Sequence, residues 1–68
     1  MKKYYICPDG SKWTQTEAAS AETAYCAACV WYSPETRIAV IDAETGQAAV
    51  FTRTLDRAGN LTAVNRLL

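Results

Sequence analysis

Short apolar runs along the chain are separated by turn residues at regular intervals, and one alanine-rich stretch interrupts them. Residues 3–7 and 12–17 flank Cys7-Pro8-Asp9-Gly10-Ser11. There Pro8 fixes φ at about −65° and Gly10 supplies a positive φ, as in a type I turn followed by a bulge glycine. A first hairpin is predicted, with Tyr5 opposite Trp13 and Tyr4 opposite Thr14. Residues 37–42 and 48–55 flank a second turn over 42–47, where Asp42 can bond the backbone ahead of it and Gly46 takes the left-handed position. The four-residue loop sets Ile41 opposite Ala48, Ala39 opposite Val50 and Arg37 opposite Thr52. It gathers Ile38, Val40, Ala49 and Phe51 on the other face, which is the better core face. A weaker turn over 56–60 leads into residues 61–67, read as a final edge strand.

Between the hairpins, Ser20 is placed to cap a helix, Glu22 complements the positive end of its dipole and Pro34 forbids continuation. The helix has about three turns. A start at Thr14, whose spacing to Glu17 matches a capping box, would lengthen the helix and dissolve the second strand. Ser20 is preferred, because Trp13-Thr14-Gln15-Thr16 favours extended structure. The fold class is therefore α+β: an antiparallel sheet of four to five strands in the order ββαββ, with an extra C-terminal strand and one helix on one face.

Projected at about 100° per residue, Ala21, Ala24, Tyr25, Ala28, Trp31 and Tyr32 share one side of the helix, the side expected against the sheet. The opposite side carries Cys26, Cys29 and Val30 and no charge beyond Glu22. A single helix on a single sheet buries one face within its own chain, so this second side wants a cover. Leu67 and Leu68 folding back, a second copy, or a foreign protein would each supply it. For Tyr5 and Trp13 core packing is the favoured reading. Turned outward, they would form with Arg37 an aromatic and arginine surface of the kind enriched at interface hot spots.

Size and charge narrow the partners. A chain of 68 residues buries only about 60 per cent of the surface its unfolded form exposes, so a single domain over residues 1–68 has a thin core. Half the residues are apolar, and seven basic side chains balance seven acidic ones. That balance removes the global field that attracts phosphate backbones or anionic membranes. The best nucleic-acid alternative is a single strand stacked on the Tyr4, Tyr5 and Trp13 hairpin near Lys2, Lys3 and Lys12. No apolar run suits a signal peptide or a membrane span, and three cysteines without a secretory signal read as reduced thiols, so a cytosolic chain is expected.

Candidate chemistry is sparse. Cys26-Ala27-Ala28-Cys29 has the C-x-x-C spacing of redox and metal sites, but it lies about two turns into the helix, beyond the amide groups that activate a thiol at a helix start. Three cysteines and no histidine fall short of a structural zinc set. Apolar packing is preferred over thiol redox or metal binding for the pair. Without histidine the commonest general base is missing, and Asp9, Asp42, Glu44 and Asp56 fall in turns with local structural roles. The scattered glycines make no phosphate loop. No enzyme, cofactor or metal is expected. The sequence points to a small protein-interaction module that homodimerises or docks on a larger protein, with Tyr5, Trp13, Cys26, Cys29, Val30 and Arg37 as candidate contacts. Chains this short and neutral are often accessory factors or inhibitors of phage and other mobile elements, an expectation from size alone.

Overall fold

The computed structural model describes residues 1–9 and 12–68. Five strands and one helix follow in the order β1 (Lys2–Pro8), β2 (Thr14–Ala18), α1 (Ala21–Cys29), β3 (Ile38–Asp42), β4 (Ala48–Leu55) and β5 (Leu61–Arg66). The strands form one sheet in the spatial order β2-β1-β3-β4-β5, every neighbouring pair antiparallel. The α+β class and the fifth strand agree with the sequence pattern.

The second hairpin has the expected register: Ile41 faces Ala48, and Ala39 faces Val50. Its turn is built by Asp42, whose carboxylate accepts from the Glu44 and Thr45 amides at 2.8 and 3.2 Å, while Gly46 takes φ 75°. Arg37 does not extend the ladder to Thr52. It precedes β3 and gives its carbonyl to the Asp9 amide at 2.8 Å, while Thr52 pairs with Asn65.

The first hairpin is offset by two residues from the expected pairing. Tyr5 faces Gln15, Tyr4 faces Thr16, and Ile6 faces Thr14. Of the turn expected over residues 7–11, Gly10 and Ser11 lie outside the described residues. The offset arises because β1 runs on through Pro8, paired there with Ile38 of β3, while Lys12 and Trp13 stay outside β2. Asp9 N–H points to β3, so by strand alternation the N–H that Pro8 lacks would point the other way, past the end of β2, where no ladder bond is lost. An even offset preserves faces, so Tyr4 and Ile6 still share a side with Thr14 and Thr16.

Ser20 caps α1 as expected. Its backbone is extended and its hydroxyl accepts from the Thr23 amide at 3.2 Å. The helix is shorter than the sequence suggests and gives way after Cys29 to tighter turns, with Trp31 N–H on the Ala28 carbonyl and Tyr32 N–H on that of Cys29. The ending is fixed from β4: Arg53 donates through Nη1 to the Cys29 carbonyl at 2.6 Å and through Nη2 to the Tyr32 carbonyl at 2.9 Å.

The core lies between α1 and one face of the sheet. Tyr4, Ile6, Ala18, Ile38, Val40, Ala49 and Phe51 meet Ala24, Tyr25 and Cys29 there. Tyr25 and Phe51 stack with ring centroids 5.2 Å apart. The Tyr25 hydroxyl is buried without a hydrogen bond among the described residues, and burial pushes its pKa up, with the Arg53 guanidinium opposing. Leu67 and Leu68 do not fold over the helix. They continue alongside β4, Leu67 N–H donating to the Val50 carbonyl at 2.7 Å and Val50 N–H to that of Leu68 at 3.3 Å.

Two turn carboxylates link the fold to pH. Asp42 is held below the usual carboxylate range first by Lys2, whose ammonium lies 2.7 Å away, and then by the turn amides; Asp56 is lowered chiefly by the Asn60 amide. A group with a depressed folded pKa stabilises the fold above its unfolded value and loses that contribution as pH falls through the folded one. The urea midpoint is therefore expected to fall as pH drops below about 4, and Asp42→Asn to flatten that decline. Parallel urea titrations of both proteins from pH 6 to pH 2 check this.

Candidate functional site: the bare face of the sheet

Alternation along each strand sends every residue that does not face α1 to the opposite side of the sheet. On β1 these are Lys3, Tyr5 and Cys7; on β3, Ala39 and Ile41; on β4, Val50, Thr52 and Thr54. Beyond them β5 contributes Asn65, whose amide donates to the Thr54 hydroxyl at 2.9 Å and, more weakly, to that of Thr52 at 3.4 Å. Leu67, next to Val50, carries the face to its margin. No helix among the described residues lies on this side. Its centre is uncharged, and its charges sit at the rim, with Lys3 opposite Glu17 on the β2 side and Arg37 exposed ahead of β3.

Tyr5 and Trp13 are 41% and 53% exposed and meet edge to face with centroids 6.3 Å apart. Core packing, the favoured sequence reading for both, is overturned. Tyr5 alternates with Tyr4 and Ile6, which take the core positions, and Trp13 lies outside β2, free to rest on Tyr5. Tyr4, by contrast, is buried, so the hairpin does not present three aromatic rings together.

The helix candidates divide. Cys26 and Val30 are exposed, as expected, but on the other side of the sheet from Tyr5 and Trp13. Cys29 is only 7% exposed and belongs to the core, which corrects its assignment to an uncovered face: it follows Tyr25 by one helical turn and packs beneath the Arg53 clasp. Trp31, expected inside, is 82% exposed. The angular projection that placed it inward does not apply past Cys29, where the helix has ended.

The surroundings of Cys26 disfavour its thiolate. Burial first, then Cys29 and Glu22, push the Cys26 thiol up, the direction opposite to a reactive cysteine. Cys29 Sγ donates to the Cys26 carbonyl at 3.4 Å, an ordinary local contact within the helix.

Clefts flank the helix on both sides among the described residues. One of about 310 Å³ runs between β2 and the C-terminal end of α1, with Ile6 as its floor and Trp31 at its rim. The other, of about 210 Å³, lies beside the Lys2–Asp42 pair near Ala21 and Arg66. The sequence pattern identified neither, since each depends on which strand lies beside which. No helix among the described residues is long and apolar enough to cross a membrane. No family model, no curated protein and no solved structure matches this chain.

Proposed function

We propose that the chain is a small non-enzymatic interaction module that pairs with a second copy of itself through the bare face of its sheet. The observation that carries this reading is the five-stranded sheet with a single nine-residue helix on one side and the uncharged centre formed by Tyr5, Ala39, Ile41 and Val50 on the other. Sheets stack face to face at about 10 Å, with side chains interdigitating, and the geometry here is half of such a sandwich. Zero net charge means that two copies do not repel each other as wholes.

Sedimentation equilibrium is expected to give a dimer at micromolar concentration. Val50→Lys places an unpaired charge at the centre of the face and is expected to weaken the dimer at least about 100-fold, with the circular dichroism of the fold retained. A wild-type chain that stays monomeric at several hundred micromolar overturns the reading. The rival, single-strand binding on the hairpin, is disfavoured because Tyr4 lies in the core and the balanced charge supplies little attraction for phosphate.

A further inference from the structure

β2 is an edge strand whose outer main-chain groups are open. Lys3 C=O and Asp9 N–H both point from β1 toward β3, so alternation directs the main-chain groups of Tyr4 and Ile6 toward β2, where they meet Thr16 and Thr14. The N–H and C=O groups of Gln15 and Glu17 then point away from the sheet, and among the described residues nothing pairs with them. Edges are usually blunted by a bulge, a proline or an inward charge. The opposite edge has such devices, a register shift at Thr54 and Leu55 and the charge of Arg66. β2 carries no proline, lysine or arginine, its one charge, Glu17, stands opposite Lys3, and no shift interrupts its pairing with β1.

The cleft of about 310 Å³ runs along this edge on the helix side. Thr14 and Thr16 form one wall, Ala27 and Trp31 the other, and Ile6 the floor, with no charged group in the lining among the described residues. A strand added to β2 would send alternate side chains into that cleft, while its main chain met Gln15 and Glu17.

We propose that β2 and the adjoining cleft form a docking site for an extended segment of a partner polypeptide, added to the sheet as a sixth strand with uncharged side chains at alternate positions in the cleft. The free main-chain groups demand a strand, and the uncharged lining selects uncharged side chains. The cleft selects a segment over a folded copy: it lies along the seam on the helix side, where alternate side chains of one extended chain can enter, and the seam of five residues, roughly 17 Å long, is the span of one short strand. The site is separate from the bare sheet face and does not depend on it.

The test is to pan a random octapeptide phage library against the whole chain and titrate a synthetic copy of the enriched sequence into 15N-labelled protein. Enriched peptides are expected to alternate apolar or β-branched residues with polar ones, and to shift the amides of Gln15 and Glu17 most. Gln15→Pro removes an N–H the fold does not use and is expected to weaken binding at least about tenfold, as is Ala27→Glu in the helix wall, whereas Val50→Lys leaves it intact. No enrichment, enrichment without alternation, or undiminished binding to folded Gln15→Pro overturns the proposal. A wild-type dimer broken by Gln15→Pro but not by Val50→Lys also overturns it, since a second copy would then occupy the edge.

Discussion

Replacing Phe51 by alanine is expected to remove about a third or more of the stability of the fold. Phe51 is fully buried, pairs across the ladder with Ile38 and stacks on Tyr25, so it joins β3, β4 and the helix at one point. Deleting a buried phenylalanine side chain costs about 3–5 kcal/mol once the cavity left behind is included. At roughly 0.05–0.15 kcal/mol per residue, a chain of this length has only about 3–10 kcal/mol in total. Urea titration followed by far-ultraviolet circular dichroism checks the expectation. Phe51→Leu, which keeps most of the volume, is expected to retain a cooperative transition.

The second large effect is expected at Arg53. Its guanidinium holds the Cys29 carbonyl at the end of α1, which carries the negative end of the helix dipole, and the Tyr32 carbonyl in the turns that follow. Arg53→Met keeps much of the side-chain volume and removes both bonds; a charged donor is worth about 1.5–3 kcal/mol, and both bonds are only part-buried, so a combined loss at the low end, about 3 kcal/mol, is expected. Arg53→Lys is expected to recover less than half of it, because one ammonium cannot reproduce the fork that spans both carbonyls. Hydrogen exchange gives the more specific readout. The amides of Trp31 and Tyr32 should lose protection in Arg53→Met before those of β1 and β3 do, and uniform loss across the chain would show that Arg53 does not secure the helix end.

Arg53 also explains where the sequence could and could not be read. The Asp42–Gly46 turn and the Ser20 cap are local, a side chain bonding backbone within three residues, and both were legible from residue type and spacing. The facing of Ile38, Val40, Ala49 and Phe51 followed from alternation once that turn was placed. The end of the helix was not legible, because the residue that fixes it lies 24 positions further along. Trp31, expected inward, therefore lies outside, past the end of the helix, whereas Cys29 is buried for a local reason, one helical turn after Tyr25, that a division of the helix into two opposed sides overlooks. The first hairpin slipped, like the helix end, for a distant reason: the register of β1 answers to β3, through Pro8 and Ile38, as well as to its nearer neighbour β2. The exposed Tyr5 and Trp13 were recognised as a candidate surface, whereas the cleft beside β2 was not, since alternation within a strand says nothing about which strands stand at the edges.

The place of β1 between β2 and β3 governs how the chain assembles. β1 with β2, and β3 with β4 and β5, are hairpin neighbours that can form soon after each is synthesised, but the junction of β1 with β3 joins residues far apart in the chain, from Tyr4 with Asp42 to Pro8 with Ile38. Closing it carries the largest loop entropy of any strand pairing in the sheet, and distant pairings of this kind slow folding. Until β3 arrives, Tyr4 and Ile6 have only a two-stranded ribbon to rest on. The halves of the sheet therefore meet along β1 and β3, and this junction, beneath the helix, is where the cooperativity of the fold is decided.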